Sequence, residues 1–151
     1  MKPQQLQANL EAIDTLSGIE AVCCFITEDE RPLTGAAGFV DWRLCGAFSR
    51  LLKTGFFTGT PGDKLLLPTE QRVPARKLFA VGLGKSTSVT ALGLEHALTS
   101  AASMLTRAQV ESVALAFPAL PKALGPQRDE LIARAFAPHF QGAVAVFSQG
   151  N

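Results

Sequence analysis

The segment Val81-Gly82-Leu83-Gly84-Lys85-Ser86-Thr87 holds residue types that can grip a phosphate: two glycines, a lysine and two hydroxyls. Glycines between a strand and a helix bring backbone N–H groups close to an anion, and the helix start adds its positive dipole end. Gly82, Gly84, Lys85, Ser86 and Thr87 are therefore the candidate ligand-binding residues, with a small anionic molecule as the ligand. The spacing departs from the known phosphate loops. A P-loop sets four residues between its first glycine and its Gly-Lys pair, whereas only Leu83 separates Gly82 from Gly84. The dinucleotide fingerprint lacks its third glycine. The plainer reading is a tight strand-to-helix turn.

Other chemistry-bearing residues are scattered. Gly59-Thr60-Pro61-Gly62-Asp63 reads as a chain reversal that a ligand could use. Asp41-Trp42-Arg43 offers a charged pair beside an aromatic platform, or else a helix cap followed by a packing residue. Cys23 and Cys24 are neighbours on a strand and point to opposite faces, while Cys45 falls on a predicted buried helix stripe. His96 and His139 sit in no metal-binding pattern. GxSxG, HExxH and CxxC motifs are absent, and so is tyrosine, a common acid–base residue. These observations predict no catalytic residue, no metal site and no cofactor. An enzyme on this chain would need loop residues such as Asp41, Asp63 and His96 to converge in one pocket.

The elements that position these groups follow from periodicity. Leu6, Leu10, Ile13 and Leu16 form one stripe of a helix opening near Pro3 and ending before Gly18. Residues 21–26 are a short apolar run, read as a buried strand. Pro32, Gly35 and Gly38 mark residues 31–40 as a loop, after which Asp41 is expected to cap a helix burying Leu44, Cys45, Phe48, Leu51 and Leu52. Strands are predicted at 64–67, 77–83, 113–117 and 143–147. Helices are predicted at about 90–106 and 128–137, the first carried by Leu94, Leu98, Ala101 and Leu105. Alternating strands and helices predict a three-layer α/β/α sandwich with a mixed, largely parallel sheet.

Composition narrows the function classes. Fourteen basic side chains against 13 acidic ones, with no run of like charge, exclude a dedicated nucleic-acid binder. No apolar stretch approaches the ~20 residues that span a bilayer. Glu11 and Asp14 interrupt the first apolar pattern, so no signal peptide is expected. Three cysteines cannot all pair, which suits a reducing cytoplasm. Length and the lack of a linker or repeat predict one domain over residues 1–151.

A longer pattern runs from Leu33 to Phe117. It comprises a helix ending in Arg50-Leu51-Leu52-Lys53-Thr54-Gly55-Phe56-Phe57-Thr58-Gly59, then Gly62-Asp63 and a short strand. Arg76-Lys77-Leu78-Phe79-Ala80-Val81-Gly82-Leu83-Gly84-Lys85 follows, with a helix opening at Val89-Thr90-Ala91. This resembles the N-terminal domain of the M17 leucyl aminopeptidase family, here as a stand-alone chain, and that domain is related in fold to macro domains. The resemblance implies a macro-domain-like sandwich over nearly the whole chain. It also implies that the two-metal catalytic site lies elsewhere, in a larger C-terminal domain built around an Asn-Thr-Asp-Ala-Glu-Gly-Arg motif that this sequence lacks. The implied role is a non-catalytic interaction or regulatory domain, acting through self-association or a separate protein partner. The macro-domain relationship implies the alternative of a nucleotide or ADP-ribose-like ligand, although the ADP-ribose-binding glycine pattern of macro domains is not present.

Overall fold

The computed structural model describes residues 3–148. Strands β1 (Gln4–Leu6), β2 (Ala21–Thr27), β3 (Lys64–Pro68), β4 (Lys77–Gly84), β5 (Ser112–Ala116) and β6 (Ala143–Phe147) form one sheet. Their order is β1-β6-β5-β2-β4-β3, and every pairing is parallel except the antiparallel β3–β4 pair at one edge. Helices α1 (Leu10–Asp14), α2 (Gly35–Arg43) and α3 (Ala47–Lys53) cover one face; α4 (Ala91–Arg107) and α5 (Arg128–Phe136) cover the other. The mixed, largely parallel α/β/α sandwich expected from the sequence is what forms.

Strand β2 shows why the apolar run at 21–26 has no polar alternation. Cys23 and Phe25 enter the core under α4 and α5, while Val22, Cys24 and Ile26 enter the core under α1, α2 and α3. A central parallel strand buried on both faces needs apolar side chains at successive positions. Helix α4 follows the sequence closely. Thr90 caps it by accepting from the Gly93 N–H at 3.0 Å, and Leu94, Leu98, Ala101 and Leu105 are all fully buried.

Three expectations fail, each for a tertiary reason. Residues 4–6 are not the start of a helix; they pair in parallel with β6, with Gln4 opposite Ala145. The helix begins later, at Leu10, where the Asn9 carboxamide accepts from the Ala12 N–H at 2.8 Å. Residues 35–40 belong to α2 rather than to a loop. Glycine costs a helix about 1 kcal/mol relative to alanine. Burial of Ala36, Ala37 and Val40 offsets that cost, and a Cβ at Gly38 would lie 2.6 Å from the Leu33 carbonyl oxygen. Asp41 lies in the last turn of α2 and does not start a helix there. The chain breaks after it, with left-handed backbone at Cys45 (φ 55°) and Gly46 (φ 78°), so Cys45 is exposed rather than buried.

Candidate functional site

The glycine turn ends β4 at the carboxyl side of the sheet, where open α/β folds hold ligands. Four of its donors have protein partners. The Gly82 N–H donates to the Asp63 carbonyl at 2.9 Å, and the Gly84 N–H donates to the Gly59 carbonyl at 2.8 Å. The Ser86 N–H and hydroxyl both donate to the Asp29 carboxylate, at 2.9 and 2.6 Å. Those two bonds hold the Asp29 carboxyl below the usual carboxylate range. A carboxylate of the chain itself thus occupies the Ser86 end of the turn. Lys85 and Thr87 are exposed beside it. No α-helix starts at the glycines either: a short 3₁₀ turn spans Ser86–Ser88, and α4 begins only at Ala91.

The crevice at the carboxyl ends of β2 and β5 is filled by side chains. Phe25 and Phe117 stack with centroids 4.7 Å apart and planes 3° from parallel, and the Arg128 guanidinium lies 5.7 Å over the Phe117 ring. What remains beside Phe25, Thr27, Leu33 and Pro118 is a cavity of about 10 Å³. That is about the space of one water molecule. The rim is acidic. Glu28, Asp29 and Glu30 follow β2, and Asp63 sits nearby in the 58–63 turn, its carboxyl held low by the Thr58 hydroxyl.

The remaining candidates do not come together. Asp41 lies on α2 and His96 on α4, with the sheet between them, while Asp63 is bonded within its own turn. Cys23 and Cys24 are buried on opposite faces; burial pushes both thiols up, Cys24 to about 12 with help from the Asp41 charge. Among the described residues, no group of three or more His, Cys, Asp and Glu side chains is placed to hold a metal ion. Likewise, no helix among them is long and apolar enough to cross a membrane.

The sequence profile described as "Cytosol aminopeptidase family, N-terminal domain" matches residues 21–140. This chain belongs to that family. The part matched is the N-terminal domain, as the resemblance in the sequence implies. A probable cytosol aminopeptidase of Geobacter sp. (strain M21) is 37% identical over 105 residues, 68% of this chain and 21% of its own length. One from Nitrosococcus oceani is 38% identical over 80 residues, 53% of this chain and 16% of its own. The chain therefore spans about a fifth of the curated relatives it matches.

Solved structures agree on the fold of this family member. The macrodomain of Thermus aquaticus DarG superposes with a TM-score of 0.68 at 16% identity, covering 97% of both chains. A tomato leucine aminopeptidase variant superposes with a TM-score of 0.66 at 16% identity, covering 99% of this chain and 33% of its own. The macrodomain-like architecture is thereby shown.

Proposed function

We propose that this aminopeptidase N-terminal domain is a non-catalytic interaction or regulatory module of the cytoplasm, acting through another copy or a separate protein. The filled crevice carries this reading. At the carboxyl ends of its strands, where open α/β sheets hold ligands, this chain stacks Phe25 on Phe117 and keeps about 10 Å³ beside Thr27 and Pro118. The acidic rim adds repulsion against phosphates, and among the described residues no catalytic constellation assembles from the groups the sequence offers. Purified protein is expected to release no product from leucyl-4-nitroanilide, with or without added Mn²⁺, Zn²⁺ or Co²⁺. Metal-dependent turnover that persists through re-purification would overturn the reading.

A second reading keeps a small anionic ligand, nucleotide or ADP-ribose-like, on Gly82, Gly84, Lys85, Ser86 and Thr87. The exposed Lys85 beside the carboxyl end of β4 favours it. Such a ligand must displace Asp29 from Ser86 and approach Glu28. Ligands specific to the folded state raise its stability by mass action, about 2.7 kcal/mol at a hundred times Kd. Millimolar ADP-ribose is therefore expected to leave Tm unchanged, in the wild type and in Asp29→Asn alike. A saturable rise that Lys85→Ala abolishes would establish the second reading instead.

A further inference from the structure

Trp42 is the chain's single tryptophan, and its side chain stands 72% exposed on α2. Packing inside this chain therefore does not explain it. The indole projects between two depressions. One, about 300 Å³, is lined by Leu10, Leu33 and Phe39; the other, about 830 Å³, extends to Cys45 and Arg72. A knob with an apolar hollow on one side is the form of an anchor for a protein partner, because binding energy in interfaces concentrates on aromatic side chains that pack into a partner.

The charges around the knob describe that partner. Asp41 is spent on the start of α3, and Asp14 pairs with Arg43 at 2.7 Å. Arg50 and Arg72 are then left without a carboxylate partner among the described residues. Both are tethered at the same corner, Arg50 Nη1 to the Cys45 carbonyl at 2.8 Å and Arg72 Nη1 to Cys45 Sγ at 3.2 Å. Tryptophan and arginine are the residues enriched where binding energy concentrates in interfaces. A second copy placed on this patch by a two-fold axis would set guanidinium against guanidinium. Charge complementarity selects carboxylates.

We propose that the Trp42 corner docks an apolar segment of another polypeptide that carries Asp or Glu, with its carboxylates on Arg50 and Arg72 and its apolar side chains over Leu33 and Phe39. The inference rests on the interaction-module reading above and names its surface. The test is to pan a random twelve-residue display library on the intact protein and counter-select on Trp42→Ala, whose core is untouched. Enriched peptides are expected to pair acidic with large apolar residues and to shift the lone tryptophan's emission to the blue. Arg72→Glu is expected to weaken them at least tenfold. No enrichment, basic or uncharged sequences, or peptides indifferent to Trp42→Ala would each overturn the proposal. So would an emission shift driven by protein concentration alone, which would mark a second copy. Turnover in the hydrolysis assay would remove the non-catalytic reading while leaving peptide binding at Trp42 intact, so the two failures are distinguishable.

Discussion

Gly82→Ala is expected to cost roughly 3 kcal/mol or more, above the common range for overpacking because the obstacle is backbone. A Cβ at this position would lie 2.1 Å from the Thr60 carbonyl oxygen and 2.6 Å from the Gly59 carbonyl carbon and oxygen. Neither neighbour is the loose end of a side chain. Gly59 is itself pressed to within 2.6 Å, measured from its own missing Cβ, of the Thr27 carbonyl oxygen, and it has φ 90°. The 59–63 turn is thus clamped onto β2 and β4, and its hydrogen bonds from Gly82 and Gly84 would stretch if the turn withdrew. At 2–4 °C per kcal/mol for a chain of this size, Tm should fall by roughly 6–12 °C. Gly125→Ala, where a Cβ meets open space, should stay within about 0.5 kcal/mol. Equal thermal melts for the two variants would show that the glycines at 59 and 82 are not a packing pair.

That contact changes how the glycine motifs are understood. Read along the chain, Gly59-Thr60-Pro61-Gly62-Asp63 and Val81-Gly82-Leu83-Gly84 are two separate turns, each suggesting a ligand. In the fold Gly82 makes room for the Gly59–Thr60 backbone and Gly59 makes room for the backbone of Ile26 and Thr27, a requirement that no local pattern displays. The occupant of the Ser86 donors was equally hidden, since Asp29 lies 57 residues away in sequence. Elements with local signals were readable. Seven apolar or glycine positions in a row give β4, and the Leu94-Leu98-Ala101-Leu105 spacing gives α4. Strand β1 was not readable, because three residues become a strand only through a ladder with β6 at the far end of the chain. Helix α2 was masked by its glycines. The same tertiary effects explain Trp42, whose exposure depends on how α2 lies on the sheet and not on its own periodicity.

The corner after α2 yields the second large effect. Asp41 is buried, yet it is not a cap for the residues that follow it directly. The chain turns through Cys45 and Gly46, and α3 starts with its N–H groups aimed back at the Asp41 side chain. Oδ1 accepts from the Phe48 N–H at 2.9 Å and the Ser49 N–H at 3.2 Å, while the Ser49 hydroxyl donates to Oδ2. One carboxylate therefore satisfies orphan donors of α3 from the preceding helix and fixes the angle between the two. Loss of a capping side chain costs about 1 kcal/mol, and a buried donor left without an acceptor costs about 1–3 kcal/mol. Asp41→Ala should therefore destabilise by roughly 2–3 kcal/mol, with Tm lower by about 4–12 °C. Asp41→Asn keeps one oxygen for the two backbone N–H groups and should lose about half as much. Ser49→Ala removes only the hydroxyl donor and should fall below both. Denaturant melts of the three variants test the order Ala, then Asn, then Ser49→Ala in severity. An Asp41→Ala protein as stable as wild type would mean that the α2–α3 angle is held by the packing of Val40, Leu44 and Phe48 without the carboxylate.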